Sequence, residues 1–307
     1  MNKFLPLFLL ILSPPVFAQF TDREKAGLKG PVFSVKLISE ETNRAGNTFP
    51  HNPEITYYNN LGMISRLIIL ADETLHIVQE LNYEYSNSLL VKKSDDLKLS
   101  ILSGCTEERY TWNENKMLAE KNTFEGETGK VPEKHTIKES FRYDSKGNCI
   151  EDKIETFFPS PMEKTIRNSY DDSGRKIRTE IFQGEMRHQY TDYTFDKNNR
   201  VKTETDRDDE GRARLTYIYD YDPVGHTTLF QGIQYNYPSA TIIRQTLTLN
   251  TYKDDLLVES TTESNSQKDF KTEYRYNNFD SHGNWLTRQT LRNDKLSLTE
   301  NRLIQYY

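Results

Sequence analysis

An aromatic residue stands directly before a polar turn at Tyr58, Tyr85, Trp112, Tyr143, Tyr170, Phe195, Tyr221, Tyr252 and Phe279, at spacings of 27, 27, 31, 27, 25, 26, 31 and 27 residues. A near-constant period of this length marks a chain built from one repeated supersecondary unit. The residues after each aromatic identify the unit: NNLG, SNS, NENK, DSKGN, DDSGR, DKNNR, DPVG, KDD and DSHGN. Asn, Asp and Gly tolerate the left-handed backbone and cap their own turns, which is the chemistry of a tight hairpin loop. A second set of polar breaks falls between them, among them EGETGK at 125–130, FPSPM at 158–162, DDEGR at 208–212 and RNDK at 292–295. Each unit therefore reads strand, near turn, strand, far turn. Turns of about four residues leave strands of roughly nine or ten, each roughly 30 Å long.

The strands alternate as half-buried strands do. One face of 215–221 reads Leu215, Tyr217, Tyr219, Tyr221, and one face of 135–143 reads His135, Ile137, Glu139, Phe141, Tyr143. The pattern predicts an all-β fold of about 18 to 20 antiparallel strands in consecutive hairpins, a width at which an open sheet curls. The expected form is a meander curled into a spiral or an open barrel, aromatic face inward as its core. It fills a single domain, 31–307, after a lead-in at 19–30. A structural subunit that pairs through a sheet edge would present an open edge at Val32–Leu37 or Leu296–Tyr307 for strand addition.

Residues 1–18 carry Lys3, an apolar run from Phe4 to Leu12, and Ala18 after Pro14-Pro15. This is the layout of a cleaved secretory signal, and the run is shorter than the roughly 20 residues of a spanning helix. The expected location is secreted or periplasmic, not membrane-spanning after cleavage. A formal charge of −6 argues against nucleic acid as a partner, since phosphate-backbone binders need a basic face. The 36 aromatics (19 Tyr, 15 Phe and 2 Trp) argue against disorder. Cys105 and Cys149 fall roughly 15 to 20 Å apart on the repeat map, beyond disulfide reach.

Tyr143-Asp144 with Gly147-Asn148, Tyr170-Asp171 with Gly174-Arg175, and Phe279-Asp280 with Gly283-Asn284 resemble the tyrosine-aspartate (YD, RHS-type) repeats of bacterial secreted and surface proteins. The resemblance implies hairpins coiling into a spiral sheet and an association with carbohydrate binding, cell contact and, in large members, toxin encapsulation. Large members carry a DPxGLxR core segment. Asp222-Pro223-Val224-Gly225 echoes its start, but His226-Thr227 follows and the Arg is missing. The chain is similar to the small stand-alone members of Gram-negative bacteria, with no toxin core.

The near-turn carboxylates Asp144, Asp171, Asp172, Asp196, Asp222 and Asp280 read as turn formers, because calcium needs six to eight converging oxygens. Asp206, Asp208, Asp209 and Glu210, interleaved with Arg207 and Arg212, read as a solvated turn and not as a paired-carboxylate site. The histidines 51, 76, 135, 188, 226 and 282 show no metal-ligand spacing. No catalytic residue, metal or cofactor is expected. The candidate ligand-binding residues are Trp112, Trp285, Tyr143, Tyr170 and Phe279, as an aromatic surface for a glycan or an envelope protein. The other readings are an envelope polysaccharide hydrolase and a structural subunit pairing through a sheet edge. An outer-membrane barrel is the rival architecture, against which charges such as Glu139 break the apolar faces it requires.

Overall fold

A computed structural model describes residues 21–43, 45–71, 76–98, 103–236 and 239–307; the signal segment lies outside them. After a single helical turn, α1 (Asp22–Lys25), come β1 (Val32–Thr42), β2 (Thr48–Pro50), β3 (Glu54–Tyr58), β4 (Ile64–Leu70), β5 (Ile77–Ser86), β6 (Leu89–Lys98) and β7 (Ser103–Trp112). The middle of the wall is β8 (Leu118–Gly126), β9 (Lys134–Tyr143), β10 (Cys149–Thr156), β11 (Met162–Tyr170), β12 (Lys176–Gln183), β13 (Met186–Phe195) and β14 (Val201–Asp208). It ends with β15 (Ala213–Tyr221), β16 (Thr227–Tyr235), β17 (Ile242–Lys253), β18 (Leu256–Ser264), β19 (Phe270–Phe279), β20 (Trp285–Arg292) and β21 (Lys295–Tyr306).

From β3 onward every strand pairs antiparallel with the next, so the meander holds. It curls as expected, and the curl goes on to full closure. β1 pairs with β3 on one side (Val35↔Thr56) and with β21 on the other (Val35↔Ile304, Leu37↔Arg302), closing the wall. Twenty strands form a closed barrel, and short β2 only extends the end of β1 (Glu41↔Phe49). The two candidate edges pair with each other, so neither is open for strand addition.

Turn chemistry explains the repeat. In seven of the nine near turns an Asp or Asn follows the aromatic, and its side-chain oxygen accepts backbone N–H groups of the turn. Asp144 Oδ1 takes Lys146 N and Asn148 N, each at 2.9 Å, and Asp280 Oδ1 takes His282 N and Asn284 N at the same distance. The fifth residue binds the other oxygen: Arg175 holds Asp171 Oδ2 at 2.7 Å, Arg200 holds Asp196 Oδ2 at 2.8 Å, and His226 Nδ1 lies 2.8 Å from Asp222 Oδ2. These hydrogen bonds hold the carboxyls of Asp144, Asp171, Asp196, Asp222 and Asp280 below the ordinary Asp range, against the opposing effect of burial. The fourth turn position needs a positive φ; Gly147 supplies it at 86°, and Asn199 at 62° takes that place in DKNNR.

A register shift recurs where each hairpin meets its near turn, as between Glu84 and Tyr85, Thr111 and Trp112, and Ser169 and Tyr170. Beside it, the aromatic donates to the carbonyl of the residue that follows the preceding near turn. Tyr85 Oη bonds Ile64 O (2.8 Å), Trp112 Nε1 bonds Leu90 O (2.8 Å), Tyr143 Oη bonds Leu118 O (2.8 Å), Tyr170 Oη bonds Cys149 O (2.9 Å) and Tyr221 Oη bonds Val201 O (2.8 Å). The repeated aromatic thus ties five units each to the one before, while Phe195 and Phe279 have no polar hydrogen to give. Tyr143→Phe is expected to lower stability by about 0.5 to 1.5 kcal/mol, the net worth of one such bond. Denaturant unfolding of the two proteins checks this.

Residues directly opposite in a ladder share a face, and the register assigns the faces of the whole wall. Burial separates them: on β21, Arg302, Ile304 and Tyr306 are half-buried, whereas Leu303 and Tyr307 are 57 % and 58 % exposed. The outward face is laced with ion pairs, including Arg66–Glu80 (2.7 Å), Arg109–Glu107 (2.6 Å), Lys138–Glu120 (2.7 Å), Arg178–Asp192 (2.7 Å), Lys271–Glu259 (2.8 Å) and Arg275–Glu273 (2.6 Å). Arg109 and Arg167 also lie over the Phe124 and Phe182 rings. A lipid-facing wall needs an outward apolar band about 25 Å tall; this wall presents charge to its surroundings. No helix among the described residues is long and apolar enough to cross a membrane.

The inward face carries the aromatics, but it is not a packed core. Only nine apolar side chains are buried among the described residues, far fewer than a filled barrel of this width would bury, and barrels of 16 or more strands leave an aqueous channel. Packing concentrates at the seam, where Leu28, Val32, Val35 and Tyr58 meet Ile64, Ile304 and Tyr306. The lead-in crosses the seam on the outside of the near turns. Arg23 N bonds Gly62 O at 3.0 Å, Asp22 Oδ2 accepts from Ile64 N at 2.9 Å, and Lys29 is clasped by Asn284.

Candidate functional site: the lumen wall

Two groups of side chains stand out on the inward face. The first spans β5 to β10. Tyr83 is opposite Lys93, Lys93 opposite Glu108, Tyr110 opposite Lys121, Lys121 opposite Glu139, and Phe141 opposite Asp152. Lys121 Nζ bonds Glu139 at 2.6 Å and reaches Glu108 at 3.8 Å, and Tyr110 Oη donates to Glu108 at 2.5 Å. Asp152 has no cation of its own: its buried Oδ1 lacks a hydrogen-bond partner. Burial, with a smaller push from Glu139, raises its pKa to about 6.

The second group spans β12 to β16. Glu204 is flanked in register by Tyr193 and Tyr217. Tyr219, Tyr221 and Phe230 continue the aromatic surface, with Tyr217 and Phe230 stacked at 5.4 Å and Tyr219 and Tyr221 at 6.4 Å. Lys176 Nζ lies 5.0 Å from the Tyr193 ring centre. Burial pushes Glu204 up, helped by Asp206, and pushes Lys176 down. On the outward face the largest effect on Lys138, Lys153 and Arg275 is instead the hydrogen bond to a carboxylate partner. The two faces thus differ in chemistry: outside, ion pairs dominate; inside, tyrosines and partly dehydrated carboxyls, among them Asp152 and Glu204, stand beside Lys176 and the Lys121–Glu139 pair.

Asp152 gives a signed pH prediction. Its folded pKa of about 6 lies above the unfolded 3.8, so its contribution is full below the unfolded value and is lost as pH rises through 6. Asp152→Asn is expected to raise stability at pH 8 by about 1 to 3 kcal/mol, with the gain shrinking to near zero below pH 4. Urea unfolding across that range reads the difference.

The residues expected to bind ligand fall into three situations. Trp112, Tyr143 and Tyr170 are half-buried, each spending its polar hydrogen on the backbone bond described above. Burial pushes the Tyr143 hydroxyl up to about 12. Trp285 corrects the expectation of an exposed platform: it is 8 % exposed, lies under Arg302 at 3.5 Å, and meets Tyr276 edge-on at 5.9 Å. Phe279 is 51 % exposed beside the last near turn, opposite Trp285 in the ladder. The fold brings Phe279 and Trp285 together and leaves Trp112, Tyr143 and Tyr170 on separate units. Asp208, in the acidic stretch, is bound by Arg212 at 2.8 Å, and Arg212 also holds Glu210 at 2.6 Å. Both cysteines are free; Cys105 Sγ lies 3.0 Å from the Glu127 carbonyl, and Cys149 follows the Asp144 turn.

Asp152, Glu204, Lys176 and Lys121 were not anticipated as a site. A parity signal existed only for Glu139, which alternates with Phe141 and Tyr143; β10 and β14 hold no aromatic, Phe124 on β8 differs in parity from Lys121, and Phe182 on β12 lies under Arg167 on the outward face.

No family model and no curated protein matches the sequence. Among solved structures, the chain aligns with one titled TcdB2-TccC3-Cdc42 at TM-score 0.38 and 10 % identity, covering 83 % of this chain and 16 % of that one. It aligns with a porin-like protein from Bacteroides uniformis at TM-score 0.35 and 10 % identity, covering 90 % and 99 %. A porin-like protein from Bacteroides vulgatus gives TM-score 0.30 and 11 % identity, over 90 % and 98 %.

Proposed function

We propose that this protein is a non-catalytic receptacle of the bacterial envelope or secreted space that binds a saccharide chain inside its barrel. The observation that carries the reading is the contrast between the walls. The outside is laced with ion pairs, while the inside offers half-buried tyrosines, Thr and Gln side chains and, at Asp152 and Glu204, carboxyls without an ion-pair partner among the described residues to a hollow lumen. Ring faces with polar edges suit sugars, whose C–H faces stack and whose hydroxyls need partners. The signal-like N-terminus and the resemblance to YD repeats support export and carbohydrate contact.

The test is a glycan-array screen of the chain from Gln19 onward, repeated with Tyr110→Ala and Tyr219→Ala. The expected result is binding of a defined glycan set and a loss of about tenfold per variant, as one aromatic contact supplies, with an unchanged β circular-dichroism spectrum. Binding to no glycan, or binding indifferent to both substitutions, overturns the proposal. Polysaccharide hydrolysis has one observation in its favour: the Asp152 carboxyl, raised by burial to about 6, lies near Glu139, and glycoside hydrolysis uses a pair of carboxyls. Release of reducing ends from the bound glycan, abolished by Asp152→Asn, would establish it.

A further inference from the structure

At the far-turn end of the lumen, a cavity of about 570 Å³ opens over β14 to β17, with Asp206, Arg214, Tyr217, Gln234, Tyr235 and Arg244 among its lining. Its size is that of a small-ligand site. Gly232 forms part of the floor, opposite both Tyr217 and Thr246 in the ladders; a Cβ there would stand 3.1 Å from Thr246 Oγ1. The small residue keeps the space beside the Tyr217 ring clear.

The arginines set this cavity apart. Most guanidinium groups elsewhere are matched: Arg66, Arg109, Arg167, Arg178, Arg187 and Arg207 each hold a carboxylate within 3.2 Å, while Arg302 lies over the Trp285 ring. Arg214 and Arg244 have no carboxylate partner among the described residues. The cavity's own carboxylate, Asp206, accepts from Thr191 Oγ1 at 2.6 Å. Two uncommitted cations therefore face one polar cavity with two tyrosines in its lining, in a chain of formal charge −6.

We infer that this cavity binds an acidic sugar, a ring bearing a carboxylate or a phosphate, with Arg214 and Arg244 on the anion and Tyr217 against the ring. Guanidinium forks match the planar geometry of both anions. The inference rests on the saccharide reading and adds the charge of the ligand.

Titration calorimetry on the chain from Gln19 onward tests it with four probes: an oligogalacturonate, glucose 1-phosphate, a neutral gluco-oligosaccharide and inorganic phosphate. The expected result is that one anionic sugar binds at least tenfold more tightly than the neutral one, and that Arg214→Gln with Arg244→Gln removes the preference; which anionic sugar binds assigns the anion. The single variants, checked by circular dichroism, guard against misfolding of the double one. Equal affinity for neutral and acidic sugars, or a preference that survives the double substitution, overturns the inference and leaves the receptacle reading standing. Inorganic phosphate binding as tightly as the sugar phosphate removes the sugar from the site. Silence from all three sugars overturns both readings.

Discussion

Replacing Val32 by aspartate is expected to part β1 from β21 and to lower stability by about 3 to 5 kcal/mol, the cost of an uncompensated buried charge. Val32 is fully buried and lies in the one apolar cluster of the seam, in register with Tyr306. Every other junction in the barrel wall joins consecutive strands through a short loop or turn. The seam instead joins residues some 270 positions apart in sequence, and its closure entropy must be met by local packing. Hydrogen exchange reads the outcome. Amides of β1 and β21 should lose protection in the variant, while those of β11 and β12 keep theirs. Retained protection at the seam, with a stability change below about 1 kcal/mol, would show that the Leu28–Val32–Tyr58 cluster is not what holds the barrel shut.

Asn284→Ala is expected to cost about 2 to 4 kcal/mol, through unsatisfied polar groups instead of lost apolar contact. Asn284 is 2 % exposed. Its Oδ1 accepts from Lys29 N at 2.7 Å, and its Nδ2 lies 2.9 Å from both Lys29 O and Tyr306 Oη. Truncation removes the partner of both backbone groups of Lys29 and of the Tyr306 hydroxyl, and each such hydrogen bond is worth about 0.5 to 1.5 kcal/mol net. Asn284→Asp separates the contributions. It keeps the acceptor for Lys29 N but loses the donor, and sets a second carboxyl beside Asp280, whose own pKa is held low. That variant should be weaker at pH 7 than at pH 4, whereas the alanine variant should show little difference between the two. Thermal melts at the two pH values make the comparison.

The hairpin repeat was legible because its determinants are local. Asp171 and Arg175 close their own turn within five residues, so YDDSGR states its conformation wherever it occurs. Closure was not legible, because the pairing of Val35 with Ile304 depends on strand tilt and twist accumulated over the whole wall, and neither segment carries a mark of the other. The aromatic face was read correctly as inward and wrongly as core. Alternation at Leu215, Tyr217, Tyr219 and Tyr221 says which side they point to, and says nothing about whether another layer meets them. The same limit misplaced Trp285, which sits under Arg302 because β20 and β21 are neighbours at the seam. Glu139 was noticed only as an interruption of an apolar face, yet in register with Lys121 and beside Asp152 it belongs to the most distinctive chemistry of the lumen.

The links from the turn-side aromatics to the preceding units have a mechanical consequence. Pro31 and Tyr307 lie side by side, joined by the bond from Tyr307 N to Pro31 O at 3.1 Å. Tension drawn through those two points would meet the bonds of the seam one after another, as a zipper does. Beyond the seam it would meet a wall in which Tyr85, Trp112, Tyr143, Tyr170 and Tyr221 each rivet a hairpin to its neighbour. The molecule behaves as a hoop with one clasp, able to spring open along a single line while the rest of its circumference keeps its curvature.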